Sequence, residues 1–313
     1  LASGGGIHNT VARTRVASEE ELTKDCQGRL NRMLCSGTTT VEAKSGYGLS
    51  LADEAKILRV AGRLDGIGPW DVIPTLLGAH ALPGEYSENR DGYVELVEEM
   101  IETLADRAVF VDAFCEIGAF TSRECRRLFE KGCAAGLGIK LHADQLSDSG
   151  GATLAAELGA NSADHLDFVS VDGMAAMAKA GVIGVMLPTV PLYVGSRRQA
   201  PAARLQSAGV PLALATDFNP GTSPVDSMGI VVALACLQMR MSPAAALVAA
   251  TRNAAYAVGR GDRIGTLEVG KQADLQIYAV DDYAELPYKF GMQQPAVVIK
   301  AGRVVVEDGI VVS

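Results

Sequence analysis

The order of apolar segments predicts an α/β fold: a TIM-like (β/α)8 barrel with its first strand missing, followed by a small β portion. Three observations predict it. Short apolar runs alternate with amphipathic stretches; polar and ionisable residues gather where the apolar runs end; and the pattern turns into β-branched runs without helices after about residue 264. The strand windows are 38–46, 71–80, 109–117, 138–144, 161–166, 182–188 and 211–217. Between them, DEAKILRVAGRL, SRECRRLFEKGCAAG and GGATLAAELGA space apolar residues as one face of a helix does. Regular strand–helix–strand alternation gives parallel strands joined by right-handed crossovers. Seven windows are visible, one fewer than a closed barrel needs, and the missing strand would precede Leu1. A doubly wound open sheet would alternate in the same way, but it calls for a glycine-rich phosphate turn after its first strand, and no such turn is present.

The final stretch differs. IGTLEVGKQADLQIYAV and AVVIKAGRVVVEDGIVV carry β-branched runs broken by glycine turns, the pattern of a small antiparallel unit. The join falls near GRGDR at 259–263, which divides the chain into a barrel portion, 1–260, and a small β portion, 261–313.

Composition excludes several roles. The net charge of −9 and pI of about 5.0 leave no basic footprint for nucleic acid. No apolar run reaches the roughly 18 residues of a membrane span. The longest, GVIGVMLPTVPLYVG, is broken by Pro188 and Pro191. Six cysteines (Cys26, Cys35, Cys115, Cys125, Cys133 and Cys236) form no CxxC pair, which fits reduced thiols in the cytoplasm. The beginning, LASGGGIHNT, has neither a methionine nor a leader-like segment, as expected of a processed start or a fragment.

Chemistry in a barrel belongs at the C-terminal ends of the strands. There the sequence places Lys44 with Tyr47, then His80, Glu116, the trio His142, Asp144 and Gln145, then His165, and finally Asp217 with Asn219. Three of the four histidines fall at such ends, against only one elsewhere, His8, and that favours a site over three separate structural roles. His142 and Asp217 are the metal candidates, because imidazole and carboxylate suit zinc, iron or manganese. A bound metal lowers the pKa of its water towards roughly 7. Two ligands are fewer than the roughly three of a catalytic zinc site, and the chain holds no His-x-His or HExxH. Asp217 can also take a proton from water and pass it to a leaving group; its alternative role is to cap a following helix, although FNPGTSP reads as a loop. His165 orients or polarises the water, or else makes a buried structural hydrogen bond. Lys44 and Glu116 either pair inside the mouth or act catalytically. The glycines of KSGYG and GTSP fit turns that approach a ligand closely, leaving Tyr47 and Thr222 to offer hydroxyls. Arg197 and Arg198 could attract a carboxylate or be merely solvated.

Taken together, GGGI…TVARTR, GTTTVEAKSGYGL, TLLGAHALP, FCEIGAF, KLHADQ, SADHL, LATDFNPGTSP, TRNAAYAVG and IGTLEVGKQADL resemble the imidazolonepropionase family of the metal-dependent amidohydrolase superfamily, over essentially the whole chain. The resemblance implies a distorted (β/α)8 barrel of the amidohydrolase type with a β-sandwich portion built from both chain ends. It implies hydrolysis of the cyclic amide 4-imidazolone-5-propanoate to N-formimidoyl-L-glutamate in histidine degradation. One zinc or iron ion would be held by a His-x-His pair, by His142 and by Asp217; substrate would be contacted by Tyr47, His80, Asn219, Gly221 and Thr222; Gln145 and His165 would lie beside the reacting carbonyl. The family is commonly a homodimer. Two departures stand out: the His-x-His pair and the arginine that grips the propionate would lie upstream of Leu1, and HADQ replaces the common HADE. A glutamine is no base at neutral pH, so Gln145 would hold the ring by hydrogen bonds and leave proton transfer to Asp217 and His165. Two rival readings are another cyclic-amide hydrolase of the superfamily, hydantoinase-like or deaminase-like, and a catalytically inert copy kept for binding.

Overall fold

The computed structural model describes residues 6–290 and 292–312. Gly4 and Gly5 of the GGGI stretch lie outside the described residues. Each of the seven strand windows contains a strand: β1 Thr40–Lys44, β2 Asp71–Ala79, β3 Phe110–Cys115, β4 Gly138–Ala143, β5 Ser162–His165, β6 Ile183–Met186 and β7 Leu212–Leu214. They form one sheet, all neighbours parallel, in the order β1-β2-β3-β4-β5-β6-β7. The last window overruns its strand because after Leu214 the chain turns into a loop that carries Asp217 at φ 47°.

Helices cross between strands where capping residues announce them. Ser50 caps Leu51–Leu64, Asn89 caps Arg90–Leu104 and Ser170 caps Val171–Ala180, each side chain accepting from a first-turn N–H. Thr121 and Glu124 form a reciprocal capping box at the start of Ser122–Ala134. The helices bury Leu58, Val97, Met100, Leu128 and Phe129 against Leu76, Val111 and Leu141 of the sheet in one continuous core.

The sheet must curl. Strands four places apart in a flat sheet would stand roughly 19 Å from one another. Yet Lys44 Nζ on β1 lies 3.2 Å from Asp164 Oδ2 on β5, and Lys140 Nζ on β4 lies 2.9 Å from Glu42 Oε2 on β1. The inward face of the curl is therefore charged. Lys44 also meets Glu42 at 2.8 Å and Asp112 at 2.7 Å, and Lys140, almost fully buried, donates to the Ala257 carbonyl at 3.1 Å.

The second sheet is antiparallel, with β8 Leu275–Ile277, β9 Val297–Lys300, β10 Arg303–Glu307 and β11 Ile310–Val311 in the order β11-β10-β9-β8. The expected β-sandwich portion is, among the described residues, a single layer. Its apolar face, Val298, Val305 and Val306, is covered by Leu30, Met33 and Leu34 of the helix Glu19–Cys35, with Trp70 and Val72 beside them. IGTLEVGKQ is also not a strand: Gly265 and Gly270 adopt left-handed φ of 93° and 94°, which breaks the run into turns until Leu275.

Burial pushes the Glu42 carboxyl up, but Lys140 and Lys44, with a hydrogen bond from Thr75, outweigh it and hold it at about 2. A carboxyl held below its ordinary value contributes stability that is present at neutral pH and is lost as pH falls from the ordinary carboxylate range towards about 2. Replacing Glu42 by Gln is expected to flatten the acid limb of stability in that window and to lower stability at pH 7; urea midpoints measured across acid pH check this, and an unchanged acid limb would contradict it.

Candidate active site

The polar strand ends converge. His142 lies at the end of β4, with its ring centroid 6.1 Å from that of His80, just after β2, and 5.3 Å from that of His165, at the end of β5. The parallel register makes this row: His142 is level with Phe114 on β3 and with Asp164 on β5, so strand ends that are far apart in sequence finish at one level. Tyr47, in the loop after β1, meets His80 edge-on at 5.1 Å.

Each histidine has its own electrostatic state. His80 Nδ1 is bonded to the Gly46 carbonyl at 2.8 Å, and burial together with the neighbouring His142 lowers its pKa to about 4. His165 is pushed well down, first by burial and then by His142, so it is a neutral imidazole. Its Nδ1 is the one buried side-chain nitrogen or oxygen without a partner among the described residues, an atom that a ligand would satisfy. His142 is pushed down by burial, but Asp112, bonded to its Nδ1 at 3.1 Å, outweighs this and raises it.

Asp112 was not legible as a site residue in the sequence, nor was Asp164. Both face inward, and the ligand atoms of Asp112, His142 and Asp164 lie within 4.8 Å of one another, near enough to hold a metal ion. Lys44, however, already stands between the two carboxylates, 2.7 Å from Asp112 and 3.2 Å from Asp164. An ammonium ion fills that place. Asp217 is half-buried in the loop beyond β7 and is not one of the three. Burial raises its carboxyl to about 6; His142 and Lys44 pull it down, while Asp164 and Asp112 push it up, so it lies within electrostatic reach of the whole cluster. It caps no helix, since the next one begins at Met228.

The Asp217 loop is organised by Asn219, whose Oδ1 accepts from the Gly221 and Thr222 N–H groups at 2.8 Å each and whose Nδ2 donates to the Asp217 carbonyl at 2.6 Å and to Thr222 Oγ1 at 3.0 Å. Asn219 and Thr222 are thus engaged with their own loop, and Gly221 is exposed. Gln145 follows β4, partly buried and with no hydrogen bond of its own among the described residues; its segment is anchored by Glu116, which accepts from the Leu146 and Ser147 N–H groups at 2.8 and 3.2 Å.

Three expectations need correction. Lys44 does not pair with Glu116: Lys44 points into the curl, whereas Glu116 ties two loops together outside it. Asp144 is structural, its carboxylate accepting from Ser149, Gly151 and Ala152 N–H groups at the start of the helix Gly151–Glu157. The KSGYG glycines make room for the protein itself: a Cβ at Gly48 would meet the Asp53 backbone at 2.7 Å, and Gly46, at φ 94°, lies against Leu77 and His80. Backbone strain also marks the site. Asp144, His165, Leu166 and Asp217 all have positive φ without being glycine, and all stand at or just beyond strand ends.

With this geometry in place, the relatives are informative. The model of the amidohydrolase family matches residues 5–306. An imidazolonepropionase of Geobacillus thermodenitrificans is 52% identical over 312 residues, covering 99% of this chain and 73% of that protein. This chain belongs to the imidazolonepropionases. A second imidazolonepropionase, from Symbiobacterium thermophilum, is 46% identical over 98% of this chain and 73% of its own length. The fold is also shared with more distant structures: a zinc-bound adenosine deaminase from Xanthomonas campestris superposes with a TM-score of 0.72 at 22% identity, covering 95% of this chain and 72% of that one.

Asp112 bonds both Lys44 and His142 from full burial. Asp112→Ala strands the Lys44 ammonium among fewer partners, and breaking such a buried pair costs about 3–5 kcal/mol. Urea unfolding checks this; a stability within experimental scatter of the wild type would show that the pair is dispensable.

Proposed function

We propose that the protein hydrolyses the ring amide of 4-imidazolone-5-propanoate to N-formimidoyl-L-glutamate, with one zinc or iron ion. It is a hydrolase of the amidohydrolase superfamily, and 52% identity to an imidazolonepropionase across nearly the whole chain is the observation that carries the substrate.

The residues present fit a divalent metal. Asp112 engages His142 Nδ1, and this leaves Nε2 as the free donor, the arrangement that fixes metal-binding imidazoles. With Lys44 filling the place between Asp112 and Asp164, His142 and Asp217 are the residues that would hold the ion. Closure of the gap between β7 and β1 by an eighth strand, bearing the family's His-x-His pair, completes the (β/α)8 barrel and the ligand set in this reading. When bound, the ion would lower the pKa of water to near neutrality and polarise the ring carbonyl.

The chain's own groups do the rest. Asp217 takes the proton of the attacking water and delivers it to the departing ring nitrogen, as a carboxylate placed beside the reacting water can. His165, neutral and with an unpartnered Nδ1, donates to the developing oxyanion in the tautomer that carries its proton there. Tyr47 and His80 flank the ring; Gln145, Asn219, Gly221 and Thr222 line the mouth from the neighbouring loops, Gln145 by hydrogen bonding rather than as a base. No helix among the described residues is long and apolar enough to cross a membrane. The reading assigns the protein to the cytoplasm, as a homodimer, with a small molecule and no nucleic acid or membrane as its partner, and divides the chain near residue 260.

Asp217→Asn is expected to lower kcat by about 10³-fold or more, the scale of lost acid–base catalysis, with the circular dichroism spectrum unchanged. Turnover near that of the wild type would remove Asp217 from this role. Chelation should abolish hydrolysis, and zinc or iron should restore it. Hydrolysis of hydantoin in preference to the imidazolone would favour the hydantoinase-like alternative, and turnover of neither by the metal-loaded protein would favour the inert one.

A further inference from the structure

In the loop Ser45–Ser50, which carries Tyr47, the ends join regular structure (the Ser45 N–H bonds the Thr75 carbonyl of β2 and the Glu54 N–H bonds the Ser50 carbonyl), but Gly46–Leu49 between them make no such backbone bond among the described residues. Its polar groups are gripped from two sides instead. From below, the Glu54 carboxylate, fully buried in the first turns of the helix Leu51–Leu64, accepts from the N–H groups of Gly46 at 2.9 Å and of Gly48 and Leu49 at 2.8 Å each. From the other side, Arg15 of the helix Ile7–Val16 donates to the Gly48 carbonyl at 2.7 Å and to the Leu49 carbonyl at 3.2 Å. Arg15 is itself fixed by Glu85 at 2.7 Å and flanked by Asp53 at 3.8 Å. Lys56 donates to the Thr14, Arg15 and Ala17 carbonyls, seating the end of that helix on the helix that bears Glu54. The remaining loop carbonyl of interest, that of Gly46, is bonded to His80 Nδ1 at 2.8 Å.

We propose that Arg15 and Glu54 form a clamp that positions Tyr47 and His80 for substrate, so that the helix Ile7–Val16 is a working brace of the substrate pocket. Neither residue touches the ring; both act through the loop. The clamp needs an acceptor that takes three amides and a donor that reaches two carbonyls and a carboxylate together. A buried carboxylate and a guanidinium fork meet those needs, whereas the single ammonium of lysine lacks the fork. The signal in the sequence was an acid at an apolar-face position: Glu54 stands where the spacing Leu51, Glu54, Leu58, Ala61 calls for a hydrophobic residue.

This inference rests on the proposed activity for its kinetic arm and on the chain alone for its other arm. Arg15→Ala is expected to raise KM for the imidazolone about tenfold, the worth of one charge-assisted hydrogen bond, while leaving kcat within about twofold. Arg15→Lys should stay closer to Arg15→Ala than to the wild type. Amide hydrogen exchange at Gly46, Gly48 and Leu49 should accelerate about tenfold or more in Arg15→Ala and further in Glu54→Gln, with exchange in β4 unchanged. Unchanged KM and unchanged exchange would overturn the clamp, as would an Arg15→Lys variant indistinguishable from the wild type or an equal fall in kcat and kcat/KM. Should the wild type not hydrolyse the imidazolone, the functional reading fails, while exchange at the three amides still decides whether the clamp exists.

Discussion

Everything at the mouth of this sheet depends on how Lys44 is paired. A barrel interior is ordinarily filled by branched apolar side chains. Here β1, β3, β4 and β5 turn Glu42 and Lys44, Asp112, Lys140 and Asp164 inward. Isolated, any one of these charges would be prohibitively costly, so they exist only as a set. Three carboxylates face two lysines, one negative charge in excess. An ionised Asp217 makes the excess two, the amount that a divalent cation offsets. Charge balance thus links the core that holds the strands together to the chemistry at their ends.

The second constraint is register. Parallel strands that finish at one level put His80, His142 and His165 in a row although His142 follows His80 by 62 positions and His165 follows His142 by 23. The turns that follow leave the sheet sharply, and Asp144, His165, Leu166 and Asp217 take up left-handed conformations to do so. Such strain persists only where surrounding contacts over-determine the backbone, as the bonds of Asp144 to Ser149, Gly151 and Ala152 do.

Periodicity exposed all seven strands, and the apolar-run ends marked His80, His142 and His165, which the fold brings together, because both are local properties of the chain. The interior charges were hidden for the opposite reason. Asp112 in VFVDAFCEI and Asp164 in NSADHL look like interruptions of apolar runs; their partners come from β1, which only the curl brings near. Lys44 could not be assigned to Asp112 and Asp164 rather than Glu116 without knowing which way each strand end faces. Asp144 was similarly ambiguous: adjacent in sequence to His142 and Gln145, it points back to cap a helix that starts seven residues later. β-Branched alternation marked the small antiparallel unit by its apolar face but not what covers that face, which here is the helix Glu19–Cys35.

In the proposed function a divalent ion would be held by His142 and Asp217, while Lys44 keeps its place between Asp112 and Asp164. Anomalous scattering at the zinc edge from crystals of the metal-loaded protein tests it most directly. The expected result is a single peak within bonding distance of His142 Nε2 and an Asp217 carboxylate oxygen, with the Lys44 ammonium still between the two inner carboxylates. A peak between Asp112 and Asp164 with Lys44 displaced, or no peak at His142, would contradict it.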